Sequence, residues 1–173
     1  MTRVTPADRV PDFEIGHLDA GRWRLDDNAP AFLLMLDVYR GLHCPRCRRH
    51  LEALSAEAEA FRAVGVDLLA VSTDPLDRAA TARQEWDIGD LPMGYGLDIA
   101  TARGLGCYVS RSIREGETDV FAEPGVFFIR PDLTLYGAVL GTFPFARPAV
   151  GDLLEVATIL RDRNYPPRGT VAA

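Results

Sequence analysis

The sequence predicts an α/β fold in which a central mixed sheet is flanked by helices and extended by an N-terminal β-hairpin. Three observations carry that reading. Apolar runs of strand length at residues 31–38 and 66–72 enclose an amphipathic helical pattern. Pro131-Asp132 divides two further apolar runs near the C-terminus, and a last helical pattern follows them. Strands that are apolar at nearly every position belong to a sheet covered on both faces. A strand–helix–strand unit of this spacing pairs its strands in parallel through a right-handed crossover.

In chain order, residues 1–10 read as a mobile, extended arm. Residues 12–17 and 22–25 read as short strands joined at Asp19-Ala20-Gly21, a turn signal. The run 31–38 is the first buried strand. The helical pattern from Pro45 carries Leu51, Leu54, Ala58 and Phe61 at spacings of 3, 4 and 3, one stripe facing a core, and Gly65 ends it. The second buried strand, 66–72, closes at Thr73-Asp74-Pro75, where Asp74 suits an N-cap and Pro75 the first turn of a helix over 76–86. Residues 91–97 form a glycine-broken strand and 99–105 a short helix, and the charged stretch 111–119 reads as a loop. Residues 125–130 and 133–140 form an antiparallel hairpin. The last helix covers 152–160, with Arg147-Pro148 as its entry, and 164–173 is an extended arm. The whole of 1–173 reads as one domain. This order of elements is that of the thioredoxin fold, with an extra strand and helix before the final hairpin.

At 173 residues the chain is long enough to bury a sizeable core. Its net charge of −6 argues against a nucleic-acid partner. Residues 31–36 are far too short an apolar run to cross a bilayer, so no membrane partner is expected. The first residues lack the apolar segment of a signal peptide, which predicts a cytoplasmic protein. There a pair of cysteines is more often catalytic or metal-binding than a structural staple. All 19 basic residues are arginine, which excludes Schiff-base, P-loop and kinase-type lysine chemistry.

The chemistry concentrates at Cys44 and Cys47, two residues apart at a strand-to-helix junction, which is a dithiol redox spacing. The thiolate is the reactive species, and a helix N-terminus favours it through unpaired N–H groups and the positive end of the macrodipole. Pro45 suits the first helical position because it has no N–H to leave unpaired. Cations at Arg46 and Arg48, or His43, would add to the effect. Cys47 lies one turn on and on the same side, so it can reach back to a disulfide or sulfenic acid at Cys44. Cys44 is thus the expected nucleophile and Cys47 the expected resolving thiol. A second reading is a redox-sensing or zinc-binding module through His43, Cys44, Cys47 and His50, ligand types that zinc accepts. A helical start would not wrap all four around one ion. Cys107 reads as a small buried hydrophobe, with a second resolving role as the alternative. Trp86, Phe143 and Phe145 read as core or subunit contacts, and a homodimer is one assembly open to the chain.

The segments Tyr39-Arg-Gly-Leu-His-Cys-Pro-Arg-Cys47, Ala70-Val-Ser-Thr-Asp74, Leu91-Pro-Met-Gly-Tyr-Gly-Leu97, Glu123-Pro-Gly-Val-Phe-Phe-Ile-Arg-Pro-Asp132, Pro144-Phe-Ala-Arg-Pro148 and Asn164-Tyr-Pro-Pro-Arg-Gly-Thr170 occur in one order. In these pieces the chain resembles the peroxiredoxin-like branch of the AhpC/TSA family (alkyl hydroperoxide reductase C/thiol-specific antioxidant). The resemblance implies a thioredoxin-like fold and a thiol-dependent oxidoreductase without an organic cofactor. Its substrate would be a peroxide or a disulfide, and it would be recycled by an external thiol such as a thioredoxin or glutathione system. It also implies a cis-proline at Pro124 facing the dithiol, with Glu123 beside the sulfurs to move protons. Peroxiredoxins place proline seven and threonine three residues before the reactive cysteine, and an arginine before the late strand. Here Asp37, Gly41 and Pro124 stand at those positions, which favours dithiol–disulfide exchange and leaves Arg40, Tyr39, Thr73 or Trp86 as substitutes.

Overall fold

The computed structural model describes residues 3–171. The chain opens with a hairpin, β1 (Glu14–His17) and β2 (Gly21–Arg24). It continues through β3 (Leu33–Val38), α1 (Pro45–Ala56), α2 (Ala58–Ala63), β4 (Val66–Val71) and α3 (Leu76–Glu85). Then come β5 (Met93–Tyr95), α4 (Ile99–Leu105), β6 (Val109–Arg111) and β7 (Val120–Ala122). The C-terminal part is β8 (Gly125–Ile129), β9 (Leu135–Leu140) and α5 (Val150–Arg163).

Seven strands form one mixed sheet in the order β2-β1-β5-β4-β3-β8-β9. β3, β4 and β5 run parallel, while β8 pairs antiparallel with β3 and with β9. This is the thioredoxin-like arrangement expected from the element order, with β1 and β2 added at the far edge.

Strand β3 shows why the sheet is covered on both faces. Leu33 and Met35 join a core with Leu51 and Leu54 of α1, Phe61 of α2 and Leu153 of α5. Leu34, Leu36 and Val38 join the opposite core with Phe127, Leu105 and Val10. The period-2 alternation of a strand sends successive side chains into the two layers. Asp37 is the exception, a buried carboxylate on an otherwise apolar strand.

Several expectations are corrected. The helix read as continuous to Gly65 tightens at Glu57, whose N–H meets the carbonyls of both Ala53 and Leu54. Phe61 nevertheless stays on the buried stripe. Asp74 does not cap α3. Its carboxylate accepts the Leu42 N–H at 2.7 Å and the Arg78 Nε–H at 3.1 Å, leaving Pro75 at the cap position. The charged stretch after α4 is a loop over 112–119, as expected, but it is the tip of a separate hairpin, β6–β7, whose strands were not expected. The N-terminal arm is fastened rather than mobile over its described residues. Val4 N–H donates to Gly104, Val10 N–H donates to Leu133, and Val10 is fully buried. Trp86 is a core residue, whereas Phe143 and Phe145 are exposed. Among the described residues no helix is long and apolar enough to cross a membrane.

Candidate active site

The site forms where β3 ends and α1 begins. Cys44 is the N-cap of α1, and its sulfur accepts the Cys47 backbone N–H at 3.2 Å. The Cys47 sulfur accepts the Arg40 backbone N–H at 3.3 Å. Both cysteines are free, with 1% and 0% of their surfaces exposed. Gly41, between β3 and the dithiol, has φ +125, and a Cβ there would meet the Asp74 carboxylate at 2.6 Å. Only glycine fits that turn without rearrangement.

The cation at the sulfurs is Arg147, from the loop between β9 and α5. Its Nη2 lies 3.1 Å from Cys47 Sγ and 3.4 Å from Cys44 Sγ. Arg46, Arg48 and Arg49, the nearest in sequence, point into solvent, and Arg48 pairs with Glu52 at 2.7 Å. Splayed into water, they leave the helix terminus to its N–H groups.

These contacts divide the two thiols. The Cys44 thiol is lowered to about 6, first by the hydrogen bond from the Cys47 side chain, then by the Cys47 N–H and the charges of Arg147 and Arg40, against the opposing effect of burial. Burial pushes the Cys47 thiol well up, and the neighbouring Cys44 adds to the rise. Cys44 is therefore the thiolate of the pair, and Cys47 keeps its proton.

The remaining sequence candidates fall into separate places. Arg40 is buried and its charge is shared by Glu123 at 3.2 Å and Glu117 at 3.6 Å, with its guanidinium 4.7 Å from the Phe121 ring centroid. Glu123 thus faces Arg40, and also accepts the Ser110 hydroxyl at 2.6 Å; its hydrogen bonds do not include either sulfur. His43 packs on Phe121 with ring centroids 4.8 Å apart, and burial and then Arg40 push its imidazole down to about 4, so it is neutral and supplies no cation. His50 turns away from the dithiol to Asp37, Nε2 to Oδ2 2.7 Å, both side chains buried. The four zinc-type residues therefore do not converge, and among the described residues no group of three or more potential ligands is placed to hold a metal. Cys107 is buried, and burial pushes its thiol to about 12.

The bond between Glu123 and Pro124 is trans, correcting the cis expectation; no cis bond occurs among the described residues. Glu123 N–H donates to Tyr108 and the Pro124 carbonyl accepts from Gly141, so pairing on both sides holds the chain extended from β7 into β8. The trans form is also intrinsically preferred, by about 0.5–1 kcal/mol. Pro124 lines a cleft of about 300 Å³ together with Val139, Leu140, Phe143, Asp37 and Arg147. The cleft is mostly apolar and reaches the guanidinium that touches both sulfurs.

Sequence reasoning missed Arg147 as a site residue and the Asp37–His50 pair as a unit. Arg147 carried one signal, its place within the family-like segment Pro144-Phe-Ala-Arg-Pro148. Asp37 carried another, a charge inside a buried strand.

A thioredoxin-like sheet with a dithiol capping the first long helix defines a thiol-dependent oxidoreductase. Residues 6–137 match the model of the AhpC/TSA family, and the chain belongs to that family. It is accordingly a thiol-dependent antioxidant oxidoreductase. Solved structures share the fold at low identity. A cysteine-to-serine mutant of peroxiredoxin 6 from Arenicola marina has a TM-score of 0.75 at 19% identity, over 95% of this chain and 80% of its own. Peroxidoxin BcpB from Mycobacterium tuberculosis has a TM-score of 0.71 at 19% identity, over 90% and 96%. AhpC from the same organism has a TM-score of 0.71 at 17% identity, over 93% and 100%. No curated protein sequence matches the chain.

Proposed function

We propose that Cys44 is the attacking sulfur of a hydroperoxide-reducing dithiol and Cys47 its resolving partner. The observation that supports this reading best is the shared contact of Arg147 with both sulfurs. A guanidinium there stabilises the Cys44 thiolate and remains beside the sulfur that must close the disulfide. In the first step the Cys44 thiolate takes the terminal oxygen of a hydroperoxide, giving a sulfenic acid and releasing an alcohol or water. In the second, the Cys47 sulfur displaces that oxygen as water and forms the Cys44–Cys47 disulfide. An external thiol, from a thioredoxin or glutathione system in a reducing cytoplasm, returns the pair to the dithiol.

Disulfide exchange at the same pair is a second reading, favoured by one observation: Gly41 leaves no room for the threonine that peroxiredoxins set beside the peroxide. Rapid mixing separates the two. Reduced protein is oxidised with hydrogen peroxide or cumene hydroperoxide, and in parallel with a protein disulfide. Faster oxidation by peroxide, abolished in Cys44→Ser, is the expected result. Full activity of Cys44→Ser toward both oxidants would overturn the assignment of the site.

A further inference from the structure

Arg147 has a second anion within its cleft. Asp37 lines the same cleft of about 300 Å³, on the floor formed by β3, and His50 holds its carboxylate at 2.7 Å from α1. The Asp37 charge acts on Arg147, and Arg147 in turn acts on His50. The charged and titratable groups around this pair are Arg147 from the loop before α5 and Cys107 after α4, and Arg147 in turn faces Cys47 of α1 and Cys44 at its N-cap. The guanidinium thus lies in the field of two negative groups, the dithiol that it touches and Asp37 in the same cleft.

Oxidation removes one of them. One Cys44 thiolate, one Cys47 thiol, one hydroperoxide and one proton give the disulfide, an alcohol and water. The pair loses two electrons and the peroxide gains them. The disulfide carries no charge, so Arg147 is left half-buried with a single anion in reach, and unpaired buried charge is costly.

We propose that Asp37, held by His50, is the positioning residue that takes Arg147 over when the dithiol becomes a disulfide. In the reduced protein the guanidinium covers the sulfurs. In the oxidised protein it moves toward Asp37, uncovering a disulfide that is otherwise inaccessible and letting a reductant thiol approach through the cleft. His50 loses part of its hold on Asp37 at that moment, so its imidazole gives up a proton more readily. Asp37 stands where the related peroxiredoxins are expected to carry proline, so the device belongs to this chain. It rests on Cys44 and Cys47 forming a disulfide, and the test uses diamide, which joins neighbouring thiols whether or not the protein reduces peroxides.

The His50 imidazole is titrated by NMR in the reduced and the diamide-oxidised protein. The expected result is a lower midpoint after oxidation, with a fall less than half as large in Arg147→Met. Because Arg147→Met also raises the Cys44 midpoint, the thiolate fraction is read by its absorbance in each protein and the fall is scaled to it. A scaled fall in the variant that equals or exceeds half of the wild-type value is the through-space loss of thiolate charge and overturns the proposal, as does no fall in the wild type. Reduction of the disulfide by dithiothreitol is measured alongside. Asp37→Asn keeps the shape and a hydrogen bond to His50 but removes the charge, and it should slow reduction about tenfold. An unchanged rate in folded Asp37→Asn overturns the proposal, and if that variant does not fold, the Arg147→Met titration decides alone.

Discussion

Gly41 lies against the carboxylate of Asp74, so closely that a Cβ on Gly41 would come within 2.6 Å of an oxygen. That carboxylate holds the Leu42 N–H and Arg78, and so fixes the turn that delivers Cys44 to the start of α1. Gly41→Thr, which would install the residue peroxiredoxins carry here, should therefore destabilise the protein. A strained φ with displaced packing costs about 1–3 kcal/mol. Urea denaturation measures it, and a stability within about 0.5 kcal/mol of wild type would show that the turn can yield.

Asp74 itself is fully buried and accepts two hydrogen bonds, one from a charged guanidinium. Asp74→Ala leaves the Leu42 N–H and Arg78 without their acceptor, a loss of about 3 kcal/mol. The same variant should also loosen Cys44, visible as a rise in its titration midpoint.

Thiolate absorbance near the ultraviolet edge reports the charge on Cys44 directly. In the wild type it should appear with a midpoint near pH 6. Arg147→Met should move that midpoint upward by about one pH unit, the usual size of one nearby charge. Arg46→Met, altering a side chain in solvent, should leave it in place. Equal effects of the two variants would refute the role given to Arg147.

Stability should depend on pH with a definite sign. The folded thiol of Cys44 titrates below its ordinary value of 9.0. The unfolded state therefore binds more protons between these values, and stability from this group rises with pH. It is complete above the unfolded value and lost as pH falls through about 6. His50 works in the opposite sense. Burial lowers its imidazole, but the charge and hydrogen bond of Asp37 outweigh burial and raise it above the usual 6.5. Its contribution is complete below the unfolded value and fades as pH rises through the raised one. The stability difference between wild type and Cys44→Ser isolates the first effect and should grow from about pH 6 to about pH 9, the span between the folded and unfolded thiols; a flat difference would mean no thiolate forms.

Cys107, with its thiol pushed to about 12, should take no part in turnover. Cys107→Ala should retain full activity, and peptide mapping of the oxidised wild type should find Cys44 joined only to Cys47. A Cys107 disulfide in that map would restore it as a resolving thiol.

What the sequence made legible follows from how locally each feature is encoded. The strands β3 and β4 and the stripe of α1 are written in apolar period, and Cys44, Pro45 and Cys47 announce a capped helix start by spacing alone. The hairpin β6–β7 escaped because its strands have three residues each and surround a charged loop. Arg147 escaped for a different reason: 103 residues separate it from Cys44, and no periodicity links them. The three local arginines drew attention because proximity in sequence resembles proximity in space, and here it did not. Asp37 and His50 are 13 residues apart and meet only because β3 and α1 stack.

The dithiol encloses only Pro45 and Arg46. A bond between its sulfurs would restrict the unfolded chain by roughly 2 kcal/mol in the chain-entropy description, against about 4.7 for a loop of about 100 residues. Both sulfurs already lie against the same helix terminus, so the fold gains little by keeping them joined. Such a link is a rechargeable contact, easily made and easily undone, with only a small part in holding the fold together.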